Sequence, residues 1–179
     1  MTVDPIARID IQPAAARSEA AQQLLEAVWP PEVVARLPWR TVVWARPEWR
    51  VLAYDDAGVL IGHAELFQRD ARWQERPVKI GGVGAVATRE DRRRQGVASL
   101  VMRRAVEEIA RAYQPNFALL FCEPRHAPIY QALGWCAFGG DVYVDQPQGR
   151  TRFEVSDPYV FDMKIAPRGG VLDLCGLPW

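Results

Sequence analysis

Ile6, Ile9 and Ile11 alternate with Arg8 and Asp10, which predicts a first strand over Ile6–Ile11 ended by Pro13. From Arg17 to Val28 the chain is rich in Ala, Leu, Gln and Glu, so a helix is expected there, stopped by Pro30 and Pro31. A short helical stretch follows over Glu32–Leu37. Two β-rich runs, Arg50–Asp55 and Val59–Gln68, flank Asp56-Ala57-Gly58. Asp and Gly tolerate the positive φ of a tight turn, so the two runs read as a hairpin. Val78–Thr88 predicts a third strand, apolar at Val78, Ile80, Val83 and Val86 but interrupted by Gly81, Gly82 and Gly84. Glycine inside a strand marks a bulge or a close approach of another backbone or a ligand.

The clearest helix spans Gly96–Tyr113, with Val97, Leu100, Val101, Ala105, Ile109 and Ala112 three and four residues apart on one face; Pro115 ends it. Phe117–Cys122 is almost continuously apolar, as a central strand covered on both faces requires. A short helix over Pro128–Leu133 closes at Gly134. Late strands are expected at Asp141–Asp145 and Tyr159–Ile165, before a tail, Gly169–Trp179, that is first glycine-rich and then apolar.

A length of 179 residues suits one domain over residues 1–179 with a sizeable core, and 49% hydrophobic with 25% charged residues fits a folded soluble protein. Basic and acidic residues balance at 22 each, which argues against a nucleic-acid or membrane partner held by bulk positive charge. Any anion site must be local. The chain shows neither a long uncharged apolar run nor an apolar N-terminal stretch, so the expected location is cytoplasmic. Cys122, Cys136 and Cys175 lack paired metal-ligand spacing and only two histidines are present, so no metal is expected and the cysteines read as partly buried free thiols. Trp29, Trp39, Trp44 and Trp49 cluster with Arg40 and Arg46, either as an aromatic surface or as a plug at the domain's end.

The most informative stretch is Gly82–Ser99, where a strand runs into a loop that opens the longest helix. Helix N-termini carry free N–H groups and a partial positive charge, so acidic residues are the stabilising choice there. Arg92, Arg93 and Arg94 stand there instead. That arrangement makes sense if an anion occupies the turn and the small residues Gly96 and Ala98 let its oxygens reach the backbone. A polyphosphate fits. No Gly-Lys-Ser/Thr follows and no Gly-x-Gly-x-x-Gly is present, which excludes a Walker loop and a dinucleotide fingerprint.

Arg93-x-x-Gly96-x-Ala98, after a strand ending Val86-Ala87-Thr88, resembles the pyrophosphate-binding motif of the GNAT superfamily, Gln/Arg-x-x-Gly-x-Gly/Ala. The order of hairpin, strand, motif helix, apolar strand and then Ile129–Trp135, with Tyr130 four residues before Gly134-Trp135, is similar to that superfamily from about Trp49 to Ile165. The resemblance implies an α/β (α+β) fold, a GNAT fold with a central mixed, mostly antiparallel sheet of six to seven strands flanked by about four helices. It also implies transfer of an acetyl group from acetyl-coenzyme A, as cosubstrate, to a small-molecule amine. By the same resemblance, the main chain of Val86 and Thr88 would pair with the pantetheine arm. The N–H groups of Gln95, Gly96, Val97 and Ala98 would hold the pyrophosphate, with Arg93, Arg94 and Ser99 beside it. The Val86 N–H would face the developing oxyanion, and Tyr130 would protonate the departing thiolate, unless it is simply a tyrosine packed on the sheet.

Within the superfamily, Gly62-His63-Ala64-Glu65-Leu66-Phe67-Gln68-Arg69, the tail Leu172–Cys175 ending in Trp179, and Asp157 resemble aminoglycoside 2'-N-acetyltransferases. This implies acceptor contacts from His63, Asp157 and the carboxylate of Trp179. That family's glutamate, proposed to deprotonate the amine through water, falls at Gly84, and its acidic acceptor loop falls around Trp39–Arg50, aromatic and arginine-bearing here. Ala45-Arg46-Pro47-Glu48-Trp49-Arg50, Ala53-Tyr54-Asp55, Gly58-Val59 and His63 are similar to rhizobial nodulation acyltransferases, which acylate an amine of a chitin oligosaccharide. An amino-sugar acceptor is common to both. With Gly84 unable to act, Glu123, the Trp179 carboxylate or His63 is left as base, and Glu123 is favoured; it is also a candidate acceptor contact. Other classes remain open: a coenzyme A-binding sensor or sequestering protein without turnover, an acyltransferase for longer chains, or an interaction module using the tryptophan surface. A homodimer is compatible with the sequence.

Overall fold

In a computed structural model, which describes residues 6–16 and 18–179, β1 (Arg8–Pro13) leads into α1 (Glu19–Val28) and the four-residue α2 (Pro31–Val34). β2 (Trp49–Tyr54), β3 (Leu60–Trp73) and β4 (Arg76–Thr88) follow, and α3 (Val97–Ala112) carries the chain to β5 (Phe117–Cys122). α4 (Ala127–Gln131) then precedes β6 (Cys136–Ala137), β7 (Asp141–Gln146), β8 (Gly149–Arg152), β9 (Asp157–Asp162) and β10 (Val171–Asp173). All belong to one ten-stranded sheet in the order β6-β9-β5-β4-β3-β10-β7-β8, with β2 and then β1 beside the first half of β3. Among the described residues, only β4–β5 and β10–β7 pair in parallel.

The mixed, mostly antiparallel sheet and the four helices of the described residues agree with the expected fold, but their ten strands exceed the expected six to seven. The additional β6, β8 and β10 are two to four residues long, too short to show an alternation. β3 also runs past Gln68 to Trp73, because Arg69, Asp70 and Arg72 mask its pattern. It turns into β4 through Gln74 and Glu75, both at positive φ (50° and 63°), a two-residue turn made without Asn or Gly. Other boundaries shift by a few residues. Pro13 is the last paired residue of β1, opposite Trp49, and Arg17 lies outside the described residues. α1 starts after Ser18, whose Oγ accepts from the Ala21 N–H at 3.2 Å. The stretch expected at Glu32–Leu37 shrinks to α2, and β9 starts at Asp157 and ends before Ile165.

Two cores lie on opposite faces of the central strands. On one, α3 buries Val97, Val101, Met102, Ala105 and Ile109. Leu100 is half-buried and Ala112 exposed, so neither belongs to the helix's innermost stripe. Glu108 is buried on α3 and held by Arg104 and Arg111. On the other face, the Trp179 indole stacks on Phe67 with centroids 5.5 Å apart and donates from Nε1 to the Leu119 carbonyl at 3.2 Å. The glycines of β4 lie where these layers come closest. A Cβ at Gly81 would run into Ile109, and one at Gly82 into the Trp179 indole. Trp44 packs edge-on against Trp39 and Phe153, and the Ala45 N–H donates to the Pro178 carbonyl, so this part of the tryptophan segment closes the second core. All three cysteines are free; Cys122 is buried, Cys136 half-buried and Cys175 exposed, not partly buried as expected.

Gly82→Ala should lower stability by about 1–3 kcal/mol, the usual cost of overpacking, as the Trp179 ring is pushed from the sheet. Chemical denaturation of the variant checks this.

Candidate functional site: a fork between β4 and β5

β4 and β5 pair from Ile80–Phe117 to Val83–Leu120 and then part. On its other edge β4 carries a bulge: His63 pairs with Ala87 and Glu65 with Gly84, so Ala85 and Val86 together oppose Ala64. Ala85 sits at φ +46°, a strained region for a residue with a Cβ. His63, 0% exposed, holds the strained unit through its Nδ1, 2.9 Å from the Ala85 carbonyl. A carbonyl accepts, so Nδ1 carries the proton and donates. Burial pushes the His63 pKa down to about 4, opposed by the Ala85 hydrogen bond and reinforced by the nearby Arg50 charge, and the ring is neutral near pH 7. Its Nε2 is buried without a partner. The geometry therefore gives His63 a positioning task.

The Arg89 N–H donates to Ile61 on β3 at 2.9 Å. By the alternation of an antiparallel ladder, Thr88 and Val86 turn their N–H and C=O groups the other way, into the fork. The Thr88 Oγ1 is buried and unpartnered.

Beyond β4, a 3₁₀ turn, Glu90–Arg92, enters the helix start. Arg92 does not join the cationic cluster expected there. It turns inward, 3.0 Å from the Asp55 carboxylate, which is 4% exposed, and Arg89 approaches the same oxygen at 3.7 Å. The other Asp55 oxygen accepts from the Val59 N–H, so one carboxylate ties the β2–β3 turn to the loop. Arg93 and Arg94 are exposed, with no ion pair among the described residues. The Gln95 amide donates to the Asp91 carbonyl. Arg94 (φ +60°) and Gly96 (φ +84°) curl the backbone, and Gly96 caps α3 without any side-chain hydrogen bond. The first helical bond of α3 runs from Leu100 to Gly96, leaving the N–H groups of Val97, Ala98 and Ser99 without helical acceptors. A Cβ at Gly96 would meet nothing within 4 Å. Open space, free donors and two unpaired arginines fit a polyphosphate.

Past the end of β5, Tyr130 on α4 is half-buried, and burial holds its phenol protonated well above the usual range. Cys122, close enough to add to that effect, is itself pushed up to about 11 by burial and by Asp157 and Glu123. Asp157 pairs with Cys122 and so shares the Tyr159 face of the sheet, whereas Phe121 meets Trp179 on the opposite face. Asp157 and Trp179 are thus not brought together. Glu123 is ion-paired with Arg125 at 2.8 Å. The Trp179 face holds Phe67, Phe121 and Phe153, with Arg69 over the Trp179 ring at 5.8 Å. Asp55 and Glu65 fall inside the motifs quoted above without a role of their own, because the arginines that pair with them lie on another strand or loop.

Fork and helix start together present unpaired main-chain groups, free N–H donors and open space in one continuous arrangement. Residues 13–138 match the acetyltransferase (GNAT) domain family, and the chain belongs to that family. GNAT acetyltransferases use acetyl-coenzyme A as cosubstrate. The chain is 38% identical over 118 residues to an aminoglycoside 2'-N-acetyltransferase of Mycolicibacterium fortuitum. The match takes in 65% of this chain and spans 59% of the length of that relative. Among solved structures, Escherichia coli ElaA aligns at TM-score 0.60 and 13% identity over 87% of this chain and 99% of its own. The E. coli GNAT family N-acetyltransferase YhbS, in complex with CoA, aligns at 0.59 and 17% over 97% and 93%. At these identities the likeness concerns the fold.

Gly96→Leu should reduce acetyl-coenzyme A affinity at least tenfold by calorimetry while the protein stays folded, because the side chain enters space that is open in the protein alone. His63 yields a pH dependence. Between pH 6.5 and about 4 the unfolded chain binds a proton that the folded one refuses, so stability is lost as pH falls through that window. Relative to His63→Asn, the wild type should lose about 3 kcal/mol from pH 7 to pH 4, since each pH unit between the two pKa values costs about 1.4 kcal/mol. Denaturation at both pH values measures it.

Proposed function

We propose that the protein moves an acetyl group from acetyl-coenzyme A to a primary amine bearing a single positive charge, an amino sugar being the leading case. The β4–β5 fork carries this reading, since it offers unpaired main-chain groups at Val86 and Thr88 to an extended arm. The thioester supplies an activated acetyl carbon. The Val86 N–H would steady its oxygen as charge develops, and Tyr130, kept protonated by burial, would hand a proton to the leaving sulfur. Gln95, Gly96, Val97, Ala98 and Ser99 would hold the pyrophosphate, with Arg93 and Arg94 screening its charge. A cytoplasmic place of action goes with such a cosubstrate.

Charge supports the single-amine acceptor. Arg40 and Arg46 are exposed in the segment beside the Trp39–Trp44 pair, where a second or third ammonium would be repelled. A second reading, a polycationic aminoglycoside, is favoured by the M. fortuitum relative. A coenzyme A-release screen that sets aminoglycosides beside glucosamine derivatives, aryl amines and amino acids, with product mass locating the new amide, separates the two. The expected outcome is the highest kcat/KM on a mono-amine; aminoglycosides far ahead would overturn the charge argument. Binding of acetyl-coenzyme A without release on any amine would favour a sensor. Tyr130→Phe should lower kcat about 100-fold or more with cofactor affinity nearly unchanged; an unchanged kcat would return Tyr130 to packing.

A further inference from the structure

An acetyl acceptor enters as an ammonium ion and cannot attack until it loses a proton, so the site needs a base beside the fork. Glu123 is compromised by its ion pair with Arg125, and His63 by its hydrogen bond to Ala85 and its burial. Asp157 lies on the opposite face from Trp179. Gly84, the first residue of β4 beyond the last β5 pairing, has no side chain. Directly across the ladder from Gly84 stands Glu65.

Residues opposite one another on antiparallel strands project to the same face with Cβ positions about 5 Å apart. The carboxylate of Glu65 therefore stands at the root of the fork, beside the space that a side chain at position 84 would fill. That space borders the aromatic Trp179 face, since a Cβ at Gly84 would lie 3.2 Å from the Phe67 ring and 3.4 Å from the main-chain carbon of Trp179. On this face of β3 and β4 the neighbouring side chains are His63, Phe67 and Arg69, so Glu65 is the face's carboxylate within those two strands. Its side chain is 17% exposed, and among the described residues it pairs with Arg50 at 3.8 Å, a charge contact too long for a hydrogen bond. The carboxylate is thus sheltered, reachable and free of committed donors.

We propose that Glu65 is the general base of this acetyltransferase, a role that rests on the transfer reading above. Glu65 takes one proton from the acceptor's ammonium group. The freed nitrogen lone pair forms the C–N bond to the acetyl carbon as the C–S bond breaks. The second nitrogen proton ends on the departing sulfur, giving amide and free thiol, and Glu65 releases its proton to solvent. Burial raises the carboxyl pKa and the Arg50 charge restrains it, which moves the base toward the pH at which an amine must be deprotonated. The charged or titratable groups facing it are Arg50 from β2, His63 from β3 and the Trp179 carboxylate, whose carbon would lie 3.4 Å from a Cβ at Gly84; β4 contributes the bare Gly84.

The test is the pH profile of kcat/KM for the best amine of the panel, with acetyl-coenzyme A affinity and melting temperature measured in parallel. Glu65→Gln should lower kcat at least 100-fold and abolish the acidic limb of the profile, with cofactor affinity within about threefold of wild type. Arg50→Met should move that limb to higher pH, since a positive charge that favours the carboxylate is gone. A Glu65→Gln protein that keeps wild-type kcat or the limb overturns the assignment. If that variant does not fold, an unmoved limb in Arg50→Met overturns it instead. A wild-type enzyme that binds acetyl-coenzyme A but releases no coenzyme A on any amine fails the transfer reading, and the base with it; a wild-type enzyme that turns over beside an unaffected Glu65→Gln fails the base alone.

Discussion

The site depends on one extra residue in β4. Because Ala85 and Val86 oppose a single residue of β3, β4 bends away from β5 after Val83, and the main chain of its last residues has no strand to pair with. Unpaired strand edges inside a sheet are unfavourable unless something occupies them. The positive φ of Ala85 adds strain of order 1 kcal/mol, and the hydrogen bond from a fully buried, neutral His63 offsets it. A protonated imidazole would carry an unsolvated charge into the same place, so the fork and the neutrality of His63 belong together.

Charge is arranged by depth. Asp55 is buried and gathers Arg92 and Arg89, so these arginines fix the loop between β4 and α3, while Arg93 and Arg94 remain free at the surface beside the uncapped helix start. A buried carboxylate with two guanidinium partners is rigid, whereas exposed arginines gain little until a multiply charged anion arrives. Exposed charge and structural charge are thereby separated within a few consecutive residues.

Close packing on both faces of β4 explains its composition. Ile109 of α3 presses on Gly81 from one side and Trp179 on Gly82 from the other, so side chains are excluded where the layers meet. At Gly84 the constraint is looser, with neighbours at 3.2 and 3.4 Å, and the missing side chain leaves room in front of Glu65. The wall facing the fork is consequently aromatic, with Phe67, Phe121 and Trp179, and Glu65 stands at its edge.

Local chemistry settled much by itself. Periodicity fixed α3, the β2–β3 hairpin and the apolar β5, and the Arg93-x-x-Gly96-x-Ala98 spacing marked the helix start, because a turn at positive φ and an uncapped N-terminus are properties of a few adjacent residues. Only the tertiary structure decided which groups meet. It turned Arg92 toward Asp55, put Asp157 and Trp179 on opposite faces, and set Glu65 of β3 against Gly84 of β4. Strand register makes these pairings, and register follows from bulges and turns such as Gln74-Glu75, whose residue types announce neither.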